Sequence, residues 1–125
     1  MAKILLIDDD QQVREMLRRM LEGGGYDVME AKHGKEGLAF LRESPVDIVI
    51  TDMVMPEQDG IETIVKLRKD YQGIKIIAIS GDCRGDPDKY LYMAKQLGAK
   101  HTLRKPFRRE ELLTAVADLA CAERA

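Results

Sequence analysis

Five side chains able to do ionic or phosphoryl chemistry stand at the ends of four strand-like runs in this sequence, three of them apolar. The run Ile48-Val49-Ile50 is followed by Thr51 and a lone carboxylate, Asp52, and then by Pro56 and the turn pair Asp59-Gly60. A short apolar run closed by turn residues reads as a buried strand that delivers one aspartate to its carboxyl end. The run from Lys3 to Ile7 ends in Asp8, Asp9 and Asp10, the run from Lys75 to Ile79 ends in Ser80, and the stretch from Ala99 to Arg104 ends in Lys105-Pro106-Phe107. Taken one at a time these have ordinary explanations: a helix cap for Asp9, a loop hydroxyl for Ser80, a solvated charge for Lys105. Their recurrence at successive strand ends points to a shared site.

If those ends meet, three carboxylates (Asp8, Asp9 and Asp52) face one another beside a hydroxyl and an ammonium. Three close anions repel, and a bound hard cation or a raised pKa relieves that. Oxygen donors without His or Cys favour Mg2+ or Mn2+ over zinc. A divalent cation beside an aspartate suggests phosphoryl transfer onto that aspartate, with Lys105 and Ser80 placed to hold phosphoryl oxygens.

The elements that must position these groups follow from periodicity. Val13, Met16, Leu17, Met20 and Leu21 fall on one helical face after the aspartates, with Asp9 or Asp10 as cap and Gly23-Gly24-Gly25 as stop. Tyr26 to Ala31 reads as a second, edge strand, and Gly34 opens a helix with Leu38 and Leu41 inward that ends before Pro45. Strand three, Asp47 to Thr51, leads to a helix carrying Ile61, Ile64 and Val65. Strand four, Lys75 to Ser80, leads through the glycine-bearing loop from Gly81 to Gly85 to a helix started by Asp86-Pro87, with Tyr90, Met93, Ala94 and Leu97 inward. Strand five, Ala99 to Arg104, precedes a last helix from Arg109 to Ala122 with Leu112, Val116, Leu119 and Ala120 inward. Five strand–helix repeats with short connections imply a single α/β domain over residues 1–125, a (βα)5 doubly wound parallel sheet covered on both faces.

Composition narrows the function classes. The 20 basic and 22 acidic residues leave a net charge of -2, without the basic excess of a dedicated nucleic-acid binder. Apolar runs are too short to span a bilayer, and the first ten residues turn acidic where a signal peptide needs its apolar core, so a cytoplasmic protein is expected. Cys83 and Cys121 are far apart and lack zinc-ligand spacing; Cys121 reads as core packing and Cys83 as a loop residue.

With these motifs in order, the chain resembles the receiver domain of two-component response regulators. The resemblance is carried by Ile7-Asp8-Asp9, by Thr51-Asp52-Met53-Val54-Met55-Pro56 with Asp59-Gly60, by Ile79-Ser80-Gly81 and by Lys105-Pro106-Phe107. It implies a flavodoxin-like sheet of strand order 2-1-3-4-5. It also implies Asp52 as phosphoacceptor, with Mg2+ bound by Asp9, Asp52 and the main-chain carbonyl of Val54, and by Asp8 through water. Lys105 would pair with the phosphoryl group, Ser80 would bond it, Gly81 would leave room for that movement, and the Lys105–Pro106 bond would be cis. The implied donor is a phosphohistidine on a histidine kinase or histidine phosphotransfer protein, and the implied output a protein partner contacted through the fourth helix, fifth strand and fifth helix. A stand-alone receiver is expected, the alternatives being a phosphorelay shuttle or a receiver excised from a longer regulator. Such domains catalyse their own phosphorylation and dephosphorylation rather than acting as conventional enzymes.

Two positions depart from the family pattern. Thr102 stands where an aromatic often swings inward on activation. Val54 stands where many members carry a polar side chain near the attacking water, which predicts slow phosphate loss, partly offset by Asp82. A flavin or nucleotide site on the same topology would need a phosphate-cradling loop after strand one, but Asp8-Asp9-Asp10-Gln11-Gln12 repels phosphate and the chain has no Trp to stack on a ring. A metal-dependent phosphatase using Asp52 would share the aspartyl-phosphate intermediate, but calls for a deeper site.

Overall fold

The computed structural model describes residues 2–53, 60–81 and 87–124. Five strands, β1 (Lys3–Ile7), β2 (Asp27–Ala31), β3 (Ile48–Asp52), β4 (Lys75–Ser80) and β5 (His101–Arg104), alternate with five helices. The helices are α1 (Gln11–Gly23), α2 (Gly34–Glu43), α3 (Gly60–Asp70), α4 (Pro87–Leu97) and α5 (Arg109–Arg124). All neighbouring strands pair in parallel, in the order β2-β1-β3-β4-β5, so the expected flavodoxin-like topology is present.

Strand side chains alternate between two cores, as a sheet buried on both faces requires. Leu5, Ile7, Val49, Ile76 and Ala78 pack with Leu41, Ile64, Leu67, Leu91 and Ala94 of α2, α3 and α4. Ile4, Leu6, Ile48, Ile50, Ile77 and Ile79 pack with Leu17, Leu21, Leu112, Val116 and Leu119 of α1 and α5. The chain runs from β1 outward to β2, then crosses back to β3, so strand order reverses between β1 and β3. Open α/β sheets bind ligands outside such a reversal, at the carboxyl ends of the strands.

Helix faces depart from the periodicity in three places. Met16 is 47% exposed, because Arg14, not Met16, turns inward beside Leu17 and Leu21. Val65 is equally exposed, since α3 buries the stripe Gly60, Thr63, Ile64 and Leu67. Met93 faces out while Leu91 and Ala94 are buried. In α1 and α3 polar or small residues occupy inward positions that a count of apolar residues misses, and in α4 Leu91 takes the inward place given to Met93. Asp10 caps α1, its side chain accepting from the amides of Gln12 and Val13 at 2.9 and 3.3 Å. At the other end Gly25 takes φ of +93°, a left-handed turn that a residue with a Cβ resists. The Asp86 cap, the loop beyond Gly81, and the placement of Cys83 and of the Cys121 side chain lie outside the described residues.

Candidate functional site

Register alone brings the strand ends level. Ile7 pairs with Thr51, so Asp8 lies abreast of Asp52. Asp52 pairs with Ile79, which sets Ser80 one residue further along. Ser80 pairs with Arg104, and Lys105 follows, its amide donating to the Ser80 carbonyl at 2.8 Å. The residues named from sequence therefore converge on one end of the sheet, across four neighbouring strands.

Asp8 and Asp52 are buried, at 1% and 2% exposure, while Asp9 is exposed. Each of the three offers a carboxylate oxygen, and these oxygens lie within 4.8 Å of one another. The Lys105 ammonium lies 3.4 Å from Oδ2 of Asp8 and 3.8 Å from Oδ2 of Asp52. Burial pushes the Asp8 carboxyl above the ordinary range; the Asp10 amide bonded to Oδ1 at 2.9 Å and the nearby Lys105 pull the other way, and Asp9 adds repulsion. The Ser80 hydroxyl is buried and makes no hydrogen bond among the described residues, so it retains capacity for an oxygen ligand.

Two glycines permit this closeness. A Cβ on Gly81 would collide with the backbone and Cβ of Lys105, and one on Gly60 would lie 2.5 Å from the Asp52 carbonyl oxygen. The Lys105–Pro106 peptide is cis. The oxygen-only donor set of three carboxylates, two of them buried, fits a hard divalent cation such as Mg2+ or Mn2+ and gives a softer metal no preferred ligand. Val54, whose carbonyl was named as a ligand, and Asp82 lie outside the described residues.

The sequence of residues 4–117 matches the model of the response regulator receiver domain. The chain belongs to that family. Among similar proteins, the transcriptional regulatory protein CpxR of Klebsiella pneumoniae is 37% identical over 117 residues, covering 93% of this chain and 48% of the relative. The CpxR homolog of Haemophilus influenzae is 38% identical, covering 93% and 49%. The chain spans about half the length of these curated relatives. A receiver domain protein from Clostridium thermocellum superposes with a TM-score of 0.90 at 32% identity, covering 99% of this chain and 98% of that one. The Vibrio cholerae chemotaxis protein CheY4 gives 0.84 at 32% identity, covering 95% and 98%.

One contact at this end of the sheet was not visible in the sequence. Arg14 is buried against the Asp8 carbonyl and Glu30, and the apolar helical pattern did not include it. Its signal would have been an arginine at the i−3 position from Leu17 combined with a glutamate near the end of strand two, a pairing that needs the β1–β2 register to be known.

Proposed function

We propose that this receiver accepts a phosphoryl group on Asp52 from a phosphohistidine of a histidine kinase or histidine phosphotransfer protein in the cytoplasm, and passes the change to a protein partner. The observation that carries the reading is the buried Asp52 carboxylate at the end of β3, with the Lys105 ammonium 3.8 Å away and the carboxylates of Asp8 and Asp9 beside it. An isolated strand-end aspartate has no reason to be surrounded in this way.

In the transfer, an Asp52 oxygen forms the new P–O bond as the P–N bond breaks, and the electron pair leaves with the imidazole nitrogen. Lys105 is within reach of a phosphoryl oxygen without leaving the site, and the buried Ser80 hydroxyl supplies a donor for another. Mg2+ or Mn2+ would be held by Asp9, Asp52 and the Val54 carbonyl, with Asp8 acting through water, and when bound it supplies charge neutralisation for the transferring group. Asp8, clamped by Lys105 and the Asp10 amide, keeps its carboxylate turned toward that position.

The output follows from what phosphorylation would pull on. A phosphoryl group bonded to Ser80 draws on the β4 end and on Gly81, and a small shift between two packings suffices to change a surface. Thr102 is too small for the aromatic swing, so the output would run through the β4–α4 connection to α4, where Tyr92 and Met93 are exposed. A second arrangement is favoured by the coverage of the relatives: curated proteins about twice as long are named transcriptional regulators, which suits a receiver that governs an attached output segment.

The test is phosphorylation by a small phosphodonor with Mg2+, followed by mass measurement. Wild type should gain one phosphoryl group and Asp52→Asn none. Equal labelling of both, or of neither, would refute the assignment.

A further inference from the structure

Arg14 lies on α1 with its side chain 9% exposed, too deep for a charge without partners. Its Nη1 donates to the Asp8 main-chain carbonyl at 2.7 Å, and its Nε to Oε1 of Glu30 at 3.2 Å. The other Glu30 oxygen is held by Nη1 of Arg18 at 2.7 Å, and Arg18 is tied in turn to Glu22 at 3.1 Å. A chain of ionic hydrogen bonds thus runs from the exposed face of α1, through β2, to the backbone of the acidic turn.

The Asp8 carbonyl belongs to the planar peptide that joins Asp8 to Asp9. Anchoring its oxygen sets that plane, and with it the direction in which the Asp9 side chain leaves the backbone. The Asp8 amide is bonded to the Ala31 carbonyl at 3.2 Å, and both carboxylate oxygens of Asp8 are engaged by Asp10 and Lys105. Arg14 therefore satisfies the remaining polar atom of Asp8. We propose that Arg14 is a positioning residue for the cation-binding carboxylates, holding the Asp8–Asp9 peptide in the orientation that lets three mutually repelling carboxylates share one cation, with Glu30 and Arg18 fixing its guanidinium. The inference rests on the Mg2+ reading above.

The planar fork of arginine serves two acceptors in fixed directions at once; the single ammonium of lysine keeps the charge but not the geometry. Charge and positioning are therefore separable. Metal-free protein would be titrated with Mg2+ by calorimetry, with folding checked by circular dichroism and thermal melting. Outer contacts of this kind typically change metal affinity 10- to 100-fold, so Arg14→Lys should weaken Mg2+ binding about tenfold while remaining folded. Glu30→Gln, which loosens the fork while leaving Arg14 and its bond to the Asp8 carbonyl in place, should weaken it about threefold, less than a full outer contact does. Arg19→Lys, on the exposed face of the same helix, should bind as wild type does.

Arg14→Lys with a lowered melting temperature but Mg2+ affinity within about twofold of wild type, well below the outer-contact range, would overturn the proposal by showing a structural role only. Should Arg14→Lys fail to fold, Glu30→Gln decides: wild-type affinity there overturns it equally. Absence of Mg2+ binding by wild type would instead overturn the cation reading itself, and this inference with it.

Discussion

Nζ of Lys105 lies 3.8 Å from Oδ2 of Asp52, although β3 and the chain beyond β5 are separated by the whole of β4. The lysine reaches over the end of β4, and it can do so because Gly81 leaves its backbone uncovered. The same ammonium is 3.4 Å from Asp8, so one cation stands between two buried anions. Removing it takes away a counter-charge that Asp8 and Asp52 share. Lys105→Met should therefore destabilise the metal-free protein by at least about 1–3 kcal/mol, the range for an unsatisfied buried polar group, which charged groups exceed. Urea unfolding in a chelating buffer measures it, and added Mg2+ should narrow the difference. A more stable variant would show that the ammonium costs more in desolvation than its pairing returns.

The pH dependence of stability follows from Asp8. Burial raises its carboxyl above the ordinary value of 3.8, so the native chain holds that proton more tightly than the unfolded chain does. The sign is that stability present below the ordinary value is lost as pH rises through the raised one. Metal-free Asp8→Asn should lose less stability over that interval and be the more stable protein at neutral pH. Urea midpoints at a series of pH values read this directly, and parallel curves for the two proteins would rule it out.

Gly81 is required by close approach. An added methyl would meet the Lys105 backbone, which cannot swing aside as the end of a flexible side chain can. Gly81→Ala should destabilise by about 1–3 kcal/mol, as overpacked sites do, and should slow labelling of Asp52 by displacing the ammonium. Retention of both wild-type stability and wild-type labelling would show that the β4–β5 ends relax freely.

Met16 and Leu17 are neighbours with opposite fates. Met16→Gln should change stability by less than about 0.5 kcal/mol, and Leu17→Ala should cost about 2–5 kcal/mol. Chemical denaturation of the pair checks the orientation of α1, and comparable losses would mean that Met16 is also packed.

Val54 carries a kinetic expectation argued from sequence. A valine cannot orient water, so the aspartyl phosphate should be long-lived, and Val54→Asn should shorten its lifetime about tenfold if a placed polar group assists hydrolysis. Following loss of the phosphoryl mass with time measures both, and a half-life of seconds in the unmodified protein would contradict the premise.

Much of this protein was legible in its residues because strand ends are chemically marked. Ile7-Asp8, Ile50-Thr51-Asp52 and Ile79-Ser80 each announce a boundary between a buried run and a polar tip, and alternation of strands and helices leaves parallel pairing as the arrangement that buries both faces. Local chemistry thus determined the fold class and the identity of the polar tips. Tertiary structure decided which side chains turn inward on each helix and which groups meet. Arg14 is buried and Met16 is not, because Glu30 and the Asp8 carbonyl offer the guanidinium partners that no helical period encodes. Lys105 comes to rest between Asp8 and Asp52, residues 97 and 53 positions away in the chain, through strand register and a glycine's missing Cβ. Ionic contacts at that sequence separation are set by how strands align, and alignment is a property of the assembled sheet.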